Sequence, residues 1–302
     1  MTTAVPDHFD VIIVGGSYAG MSAALQLVRA RRSVLVIDSG EPRNRNALAA
    51  HGYIGHEGMH PAEIAAQARR ELQSYPTLTW LEARASHARV LETGEKFEVK
   101  CDNGRTCTAD RLVLAFGVTD TLPQVEGLAE RWGRSVFHCP YCHAYELYEG
   151  DIGVLGCAKD GGVGQALLLC DWGRITLFCP NPDAIEPEQR ERLDACGVVI
   201  ESTPVERVEG NANVVLADGR RVALDALFLL PQSTLSCDLA AQLGCEQMDA
   251  GCITADSAKQ TTVPGVFACG DAGRMAGNIA LAVGEGALVG VAVHRSLLGL
   301  LD

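Results

Sequence analysis

Short apolar runs, each closed by a glycine turn, alternate along this chain with helix-forming stretches. Phe9–Val14 is an apolar run of β-branched character, as expected of a buried parallel strand. A glycine turn, a helix-forming stretch and a second apolar strand, Val34–Ile37, follow it, and the strand ends at Asp38. That order predicts a βαβ unit. The outline returns in "DIGVLGCAKDGGVGQALLLCDWGRITLFCPN": strand, glycine turn, helix, strand. "RLVLAFG" reads as a strand ending in Gly117, and Val266–Ala268 as another. The final stretch, "GNIALAVGEGALVGVAVHRSLLGLL", is apolar enough to suggest a membrane span. Glu285, His294 and Arg295 interrupt it and its glycines favour close packing, so it predicts a buried helix.

The first glycine turn has the chemistry of a dinucleotide site. Backbone N–H groups at a helix N-terminus favour a pyrophosphate, and an acid at the tip of the next strand can accept hydrogen bonds from a ribose. Here the fingerprint positions are Gly15, Ser17 and Gly20, with Ser17 in place of the middle glycine, and the acid is Asp38. The alternative is a tight strand-to-helix turn with no ligand. Near the other end, "VPGVFACGDAG" brings Gly270 and Asp271 to the start of the last helix. A carboxylate there suits ribityl or ribose hydroxyls, not another phosphate. Two separated elements of this kind suggest a long ligand such as FAD.

Composition narrows the partners. The chain has 302 residues and a formal charge of −13, which argues against a nucleic-acid partner. "MTTAVPDHFD" lacks the basic and apolar regions of a secretory signal, so the expected location is cytoplasmic and the twelve cysteines are expected to be thiols. Cys101 and Cys107 flank an Asn103-Gly104 turn, and a two-residue hairpin there would set Cys101 opposite Thr106. Cys157, Cys170, Cys179, Cys196, Cys237, Cys245, Cys252 and Cys269 read as small core hydrophobes.

One pair has a chemically meaningful spacing. "HCPYCHAYE" places Cys139 and Cys142 with two residues between them, and His143 next. Such a spacing lets both sulfurs face one way on a turn and close a disulfide with little rearrangement. A nearby cation or helix end lowers a thiol pKa and raises the thiolate fraction. His143 has two readings: acid or base for that thiol chemistry, or a group that caps or packs against the next turn. Attachment of c-type haem uses the same letters but belongs outside the cytosol, and a structural zinc would need a second ligand pair that the sequence lacks. No metal is expected.

With these elements in this order, the chain resembles the low-molecular-weight thioredoxin reductase family of FAD-dependent disulfide oxidoreductases over essentially its whole length. In its Cys-x-x-Cys-His motif it is similar to the FAD-dependent dithiol oxidases that close disulfides in natural products. The resemblance implies an α/β fold of two doubly wound Rossmann-like domains. A discontinuous FAD domain would span residues 1–120 and 232–302, and an inserted pyridine-nucleotide-type domain 121–231. It implies that FAD is held by Gly15, Ser17, Tyr18, Ala19 and Gly20, by Asp38, Ser39 and Arg43, by Gly117, Gly270 and Asp271, and by Asn278 and Ile279. Phe116-Gly117 stands where the family has a "TG" strand end, a departure at the domain junction. By the same analogy Cys142 faces the flavin, Cys139 exchanges with substrate, and the enzyme is a homodimer. Tyr141, Tyr145 and Arg274 are candidates for substrate contact.

The second glycine turn departs from the family. Gly156 and Gly161 bracket Ala158, so the central glycine is missing. The next strand ends in Phe178-Cys179-Pro180-Asn181, with neither the arginines that hold a 2′-phosphate nor the acid that holds a ribose. Three functions follow. In the first, a small dithiol or a peptide reduces the Cys139–Cys142 disulfide, FAD takes the electrons, and molecular oxygen reoxidises it. In the second, a thioredoxin-like protein is reduced with electrons from NADPH, ferredoxin or a second flavin. In the third, the chain is a redox sensor without turnover. None of the three requires a membrane.

Overall fold

In the computed structural model, which describes residues 7–91, 96–274 and 277–301, the strand His8–Val14 has parallel neighbours on both sides, Val34–Asp38 and Thr106–Leu114. The leader expectation falls mainly on residues 1–6, outside the described residues. Val11, Ile12 and Ile13 are fully buried. Helices and a hairpin cover both faces, which is why the strand reads as a near-unbroken apolar run. Leu78–Glu82 extends the sheet beyond Val34–Asp38, also in parallel. Thr106–Leu114 is shared on its far side: its first half pairs with antiparallel Phe97–Cys101, its second with parallel Val266–Ala268. Ala85–Val90 completes the seven strands.

The helices Tyr18–Arg29 and Ile279–Leu297 lie together on one face of this sheet. A side chain on Gly286 would overlap the Ala19 carbonyl, and one on Gly290 would crowd Ala23 and Gln26. These two glycines, four residues apart, share one helix face and let the backbones approach. The last helix is therefore buried along one stripe only, which corrects the expectation of a buried helix. Gly286, Val289, Gly290, Ala292 and Val293 face inward, while Leu281, Leu288 and Val291 are exposed.

A second sheet contains five parallel strands in the order Val199–Glu201, Arg174–Phe178, Asp151–Leu155, Ala226–Leu229, Val136–Phe137. The helices Gly162–Leu169 and Pro187–Ala195 pack on one face through Val163, Ala166, Leu169 and Leu193. An antiparallel meander of Val205–Glu209, Asn213–Leu216 and Arg221–Val222 packs on the other. The fold is α/β with two Rossmann-like parallel sheets. An antiparallel ribbon of Val118–Thr121 and Gln232–Leu235 joins them, and we propose it as the hinge between two domains.

Two cysteine expectations are corrected. The hairpin places Lys100 opposite Thr106, and the turn is one residue longer than expected: Cys101 N–H donates to the Arg105 carbonyl at 2.8 Å. Gly104 closes it in the left-handed region, at φ +82°. Cys101 and Cys107 thus share the buried face as free thiols. Cys157 and Cys179 are not lone core thiols, because they are joined to each other. Of the others, Cys170 is pushed up to about 12 by burial and by the neighbouring Cys196.

Candidate active site

The first crevice is built by close approach. A side chain on Gly20 would overlap the carbonyl oxygen of Gly15, so only glycine lets the helix start directly beyond the strand. Gly16 is equally constrained, since a Cβ there would stand 2.6 Å from the Trp80 ring and 2.7 Å from the Asp38 side chain. Ser17 is the N-cap, and no side chain caps this end. Gly16 N–H donates to Asp38 Oδ1 at 3.3 Å across the turn. Trp80 Nε1, buried beside Gly16, has no hydrogen-bond partner. Uncapped amides, an acid at the strand tip and an orphaned donor together fit the ribose and pyrophosphate of a dinucleotide. The cleft continues past Ser39, Gly40 and Glu41 to Arg84 and Asp102.

Other predicted cofactor residues have structural partners. Tyr18 is buried, and its hydroxyl donates to the Pro61 carbonyl at 3.0 Å while accepting from Asn44 at 3.3 Å. Ala19 packs under the last helix. Asn278 caps that helix, accepting from Leu281 N–H at 2.8 Å, and Ile279 joins a small cluster with Tyr18 and Ile64. Gly117 leads into the ribbon that begins at Val118 and is in the left-handed region, at φ +68°. Arg43 does not reach freely into the crevice. Its guanidinium grips Asp120 of the ribbon at 2.6 and 2.8 Å, and Asp271 of the Gly270 turn at 2.9 Å. Burial pushes the Asp120 carboxyl up, but Arg43 and Ser233 outweigh it and hold it below the usual carboxylate range.

The Cys-x-x-Cys turn lies against this hub. Cys139 is the N-cap of the short helix Pro140–His143, Cys142 N–H donates to the Cys139 carbonyl at 3.3 Å, and the two sulfurs are joined, with Cα atoms 5.3 Å apart. His143 stacks on Phe137 with ring centroids 4.2 Å apart. Burial pushes His143 down to about 4, helped by His138 and His51. It is therefore a neutral imidazole at physiological pH, able to accept a hydrogen bond. His138 is also lowered, by burial and then by Arg43, with Asp120 and Asp271 opposing. His51, from the loop before the helix Pro61–Gln73, stands 2.7 Å from Glu57 and 3.4 Å from Glu146, which follows the disulfide in sequence. Sequence reasoning missed His51, His138, Asp120 and Glu146; only the histidine preceding Cys139 carried a signal. Tyr141 and Tyr145 are exposed near the pair. Arg274 instead turns toward Glu285, at 3.4 Å.

The second crevice repeats the first with different residues. Gly15 N–H donates to the Ile37 carbonyl and Gly156 N–H to the Phe178 carbonyl. In register, Cys179 therefore occupies the place of Asp38, and Cys157 that of Gly16. The glycine that packs the helix is Gly162, not Gly161, because a Cβ there would overlap Gly156. This loop is one residue longer than the first, and its helix starts only at Gly162. The turn of helix that would present amides to a pyrophosphate is replaced by the bend Cys157–Asp160.

Comparison with known proteins agrees with this geometry. Residues 9–286 match the family described as pyridine nucleotide-disulphide oxidoreductase, and the chain belongs to that family. The thioredoxin reductase tcpT of Claviceps purpurea is 32% identical, with 96% of this chain and 94% of that protein covered. The thioredoxin reductase sirT of Leptosphaeria maculans is 31% identical over 97% of this chain and 96% of its own. Among solved structures, an oxidoreductase from Agrobacterium tumefaciens superposes with a TM-score of 0.91 at 50% identity, covering 97% of this chain and 99% of that one. Within the family, the protein is an FAD-dependent thiol–disulfide oxidoreductase of the thioredoxin reductase-like type.

Proposed function

We propose that this enzyme oxidises dithiols, closing a disulfide in a small molecule or peptide, with molecular oxygen as the final acceptor. One observation carries this reading: a formed Cys139–Cys142 disulfide follows His138, which feels the charges of Arg43, Asp120 and Asp271, while the second crevice lacks the phosphate-binding helix turn, the acid and the arginines of a nucleotide site. The site is equipped to take electrons from thiols and poorly equipped to take them from a nicotinamide nucleotide.

In the reaction, a substrate thiol enters as its thiolate, and buried neutral His143 stands beside the pair as a hydrogen-bond acceptor. The thiolate attacks one sulfur of the Cys139–Cys142 bond and the other sulfur leaves. The substrate's second thiol then attacks the mixed disulfide, which releases a cyclised or cross-linked product and leaves two reduced cysteines. Bound FAD would supply the two-electron chemistry that returns the pair to the disulfide and hands the electrons to oxygen. We assign its ribose to Asp38, its pyrophosphate to the Gly15–Gly20 turn, and its far end to the Gly270–Asp271 turn and the start of the last helix. Exposed Tyr141 and Tyr145 flank the approach to the pair and suit an apolar or aromatic substrate. The uncovered stripe of Leu281, Leu288 and Val291 suits a homodimer contact.

The names of tcpT and sirT favour a second reading, reduction of a thioredoxin-like protein. Thiol–disulfide exchange is reversible, so direction follows the potentials of the partners. An oxygen electrode separates the two readings. A dithiol oxidase consumes oxygen and forms peroxide with a small dithiol alone. A reductase is silent until a nucleotide or other donor is added.

A further inference from the structure

We propose that Cys157 and Cys179 form a second thiol–disulfide site, a clasp across the vestigial nucleotide crevice that small thiols open by attack at Cys157. The two cysteines are joined with Cα atoms 4.8 Å apart, within the span that a disulfide requires. Both are held by backbone that does not depend on the bond. Cys179 N–H donates to the Glu201 carbonyl at 3.0 Å, and the Cys157 carbonyl accepts from Gly162 N–H at 2.9 Å and Asp160 N–H at 3.3 Å. Sheet and turn thus present the sulfurs to each other.

Their position gives the pair its meaning. In the first crevice, Gly16 N–H donates to the Asp38 carboxylate at 3.3 Å, a direct contact between the glycine loop and the strand end at the floor of the crevice. In the second, the residues in the same register are Cys157 and Cys179, and a covalent bond takes the place of that hydrogen bond. The closed clasp leaves no acid for a ribose and ties the glycine loop to the strand end. It takes away the ribose acceptor whichever way the Cys139–Cys142 pair runs, so the inference does not rest on the proposed direction.

The two sulfurs differ in access. Cys179 is fully buried, while Cys157 is partly exposed. An external thiolate therefore reaches Cys157 and expels Cys179. The step balances with two molecules of a monothiol. The first forms a mixed disulfide on Cys157 as the Cys157–Cys179 bond breaks, and the Cys179 sulfur leaves with the electron pair and takes a proton. The second attacks the mixed disulfide, so that two monothiols end as one small disulfide and Cys157 as a thiol. The Asn181 carbonyl, 3.2 Å from Cys157 Sγ, is already placed to accept the S–H of the opened form.

Peptide mapping of the wild-type holoenzyme tests the clasp without any variant. Air-oxidised protein is denatured in N-ethylmaleimide without reductant, digested and weighed. The expected result is eight alkylated cysteines, with the Cys157 and Cys179 peptides linked to each other. Recovery of both as alkylated peptides, giving ten, overturns the proposal. The site of attack is read from native Cys179→Ser and Cys157→Ser proteins exposed to glutathione disulfide. An adduct on Cys157 in the first, and none on Cys179 in the second, is expected. Equal adducts on both, or an adduct on Cys179 alone, would remove the assigned direction of attack. Flavin content and circular dichroism confirm that each variant is folded.

Discussion

Cys179 stands by the second sheet where Asp38 stands in the first, each directly after the residue whose carbonyl accepts from the glycine opposite. One fold position thus carries a carboxylate in one sheet and a sulfur in the other. Asp38 is what remains for a ribose. Asp38→Ala is expected to weaken FAD binding by about 10–100-fold, the range for losing hydrogen bonds to a charged group. Fluorescence titration of the apoprotein with FAD checks it, and an unchanged affinity would remove Asp38 from the cofactor site.

Cys142→Ser should keep the bound flavin oxidised when a dithiol is added anaerobically, because the serine oxygen cannot form the disulfide that transmits electrons. Cys139→Ser should do the same. Stopped-flow absorbance reads both, and bleaching at the wild-type rate in either variant would contradict the relay.

His143→Asn should slow dithiol-driven flavin reduction by less than about 10-fold, because a group held down to about 4 takes little of the proton of a thiol at about 8.5. Since burial holds His143 down to about 4, the wild-type rate should show no loss of this acceptor between pH 7 and pH 5. A limb near pH 6.5 that disappears in the variant would show instead that His143 titrates as an exposed histidine.

The same shift affects stability. Its folded pKa lies below the unfolded value of 6.5, so as pH falls the unfolded chain takes up the proton first. Both states are neutral above about pH 6.5, and this group costs nothing there. Between about pH 6.5 and 4 it removes stability at about 1.4 kcal/mol per pH unit. Urea unfolding of His143→Gln should show a shallower acid loss than the wild type over that window. Equal slopes would mean that the imidazole is not buried in its neutral form.

Asp120→Asn should destabilise the ribbon that joins the two sheets. The Asp120 side chain is only 5% exposed, and its partner Arg43 also holds Asp271. Because Asp271 remains, the loss should be roughly 2–3 kcal/mol, below the range for breaking a buried pair outright. Thermal unfolding checks it, and a change under about 0.5 kcal/mol, typical of a neutral surface site, would contradict the role of Arg43 as a hub.

The strands, both glycine loops and the redox pair were legible because each is a local pattern: an apolar run, a turn, a two-residue spacing. The last helix was legible as a helix but not in its burial, since an exposed apolar stripe and a buried one read alike. The Cys157–Cys179 clasp was not legible at all. It joins residues 22 apart in sequence, and only the pairing of Asp151–Leu155 with Arg174–Phe178 brings them together. Gly162 was passed over for Gly161 because the longer loop shifts the packing position by one. His51 reaches the site from a distant loop, and nothing near it in the sequence marks it.

Anaerobic bleaching of the bound flavin at about 450 nm, the absorbance of a two-electron flavin acceptor, compares NADPH, NADH and a small dithiol most directly. The account predicts bleaching by the dithiol alone, with peroxide formed when air is admitted. Rapid bleaching by NADPH would contradict it, and would mean that the second crevice accepts a nucleotide despite Cys157 and Cys179.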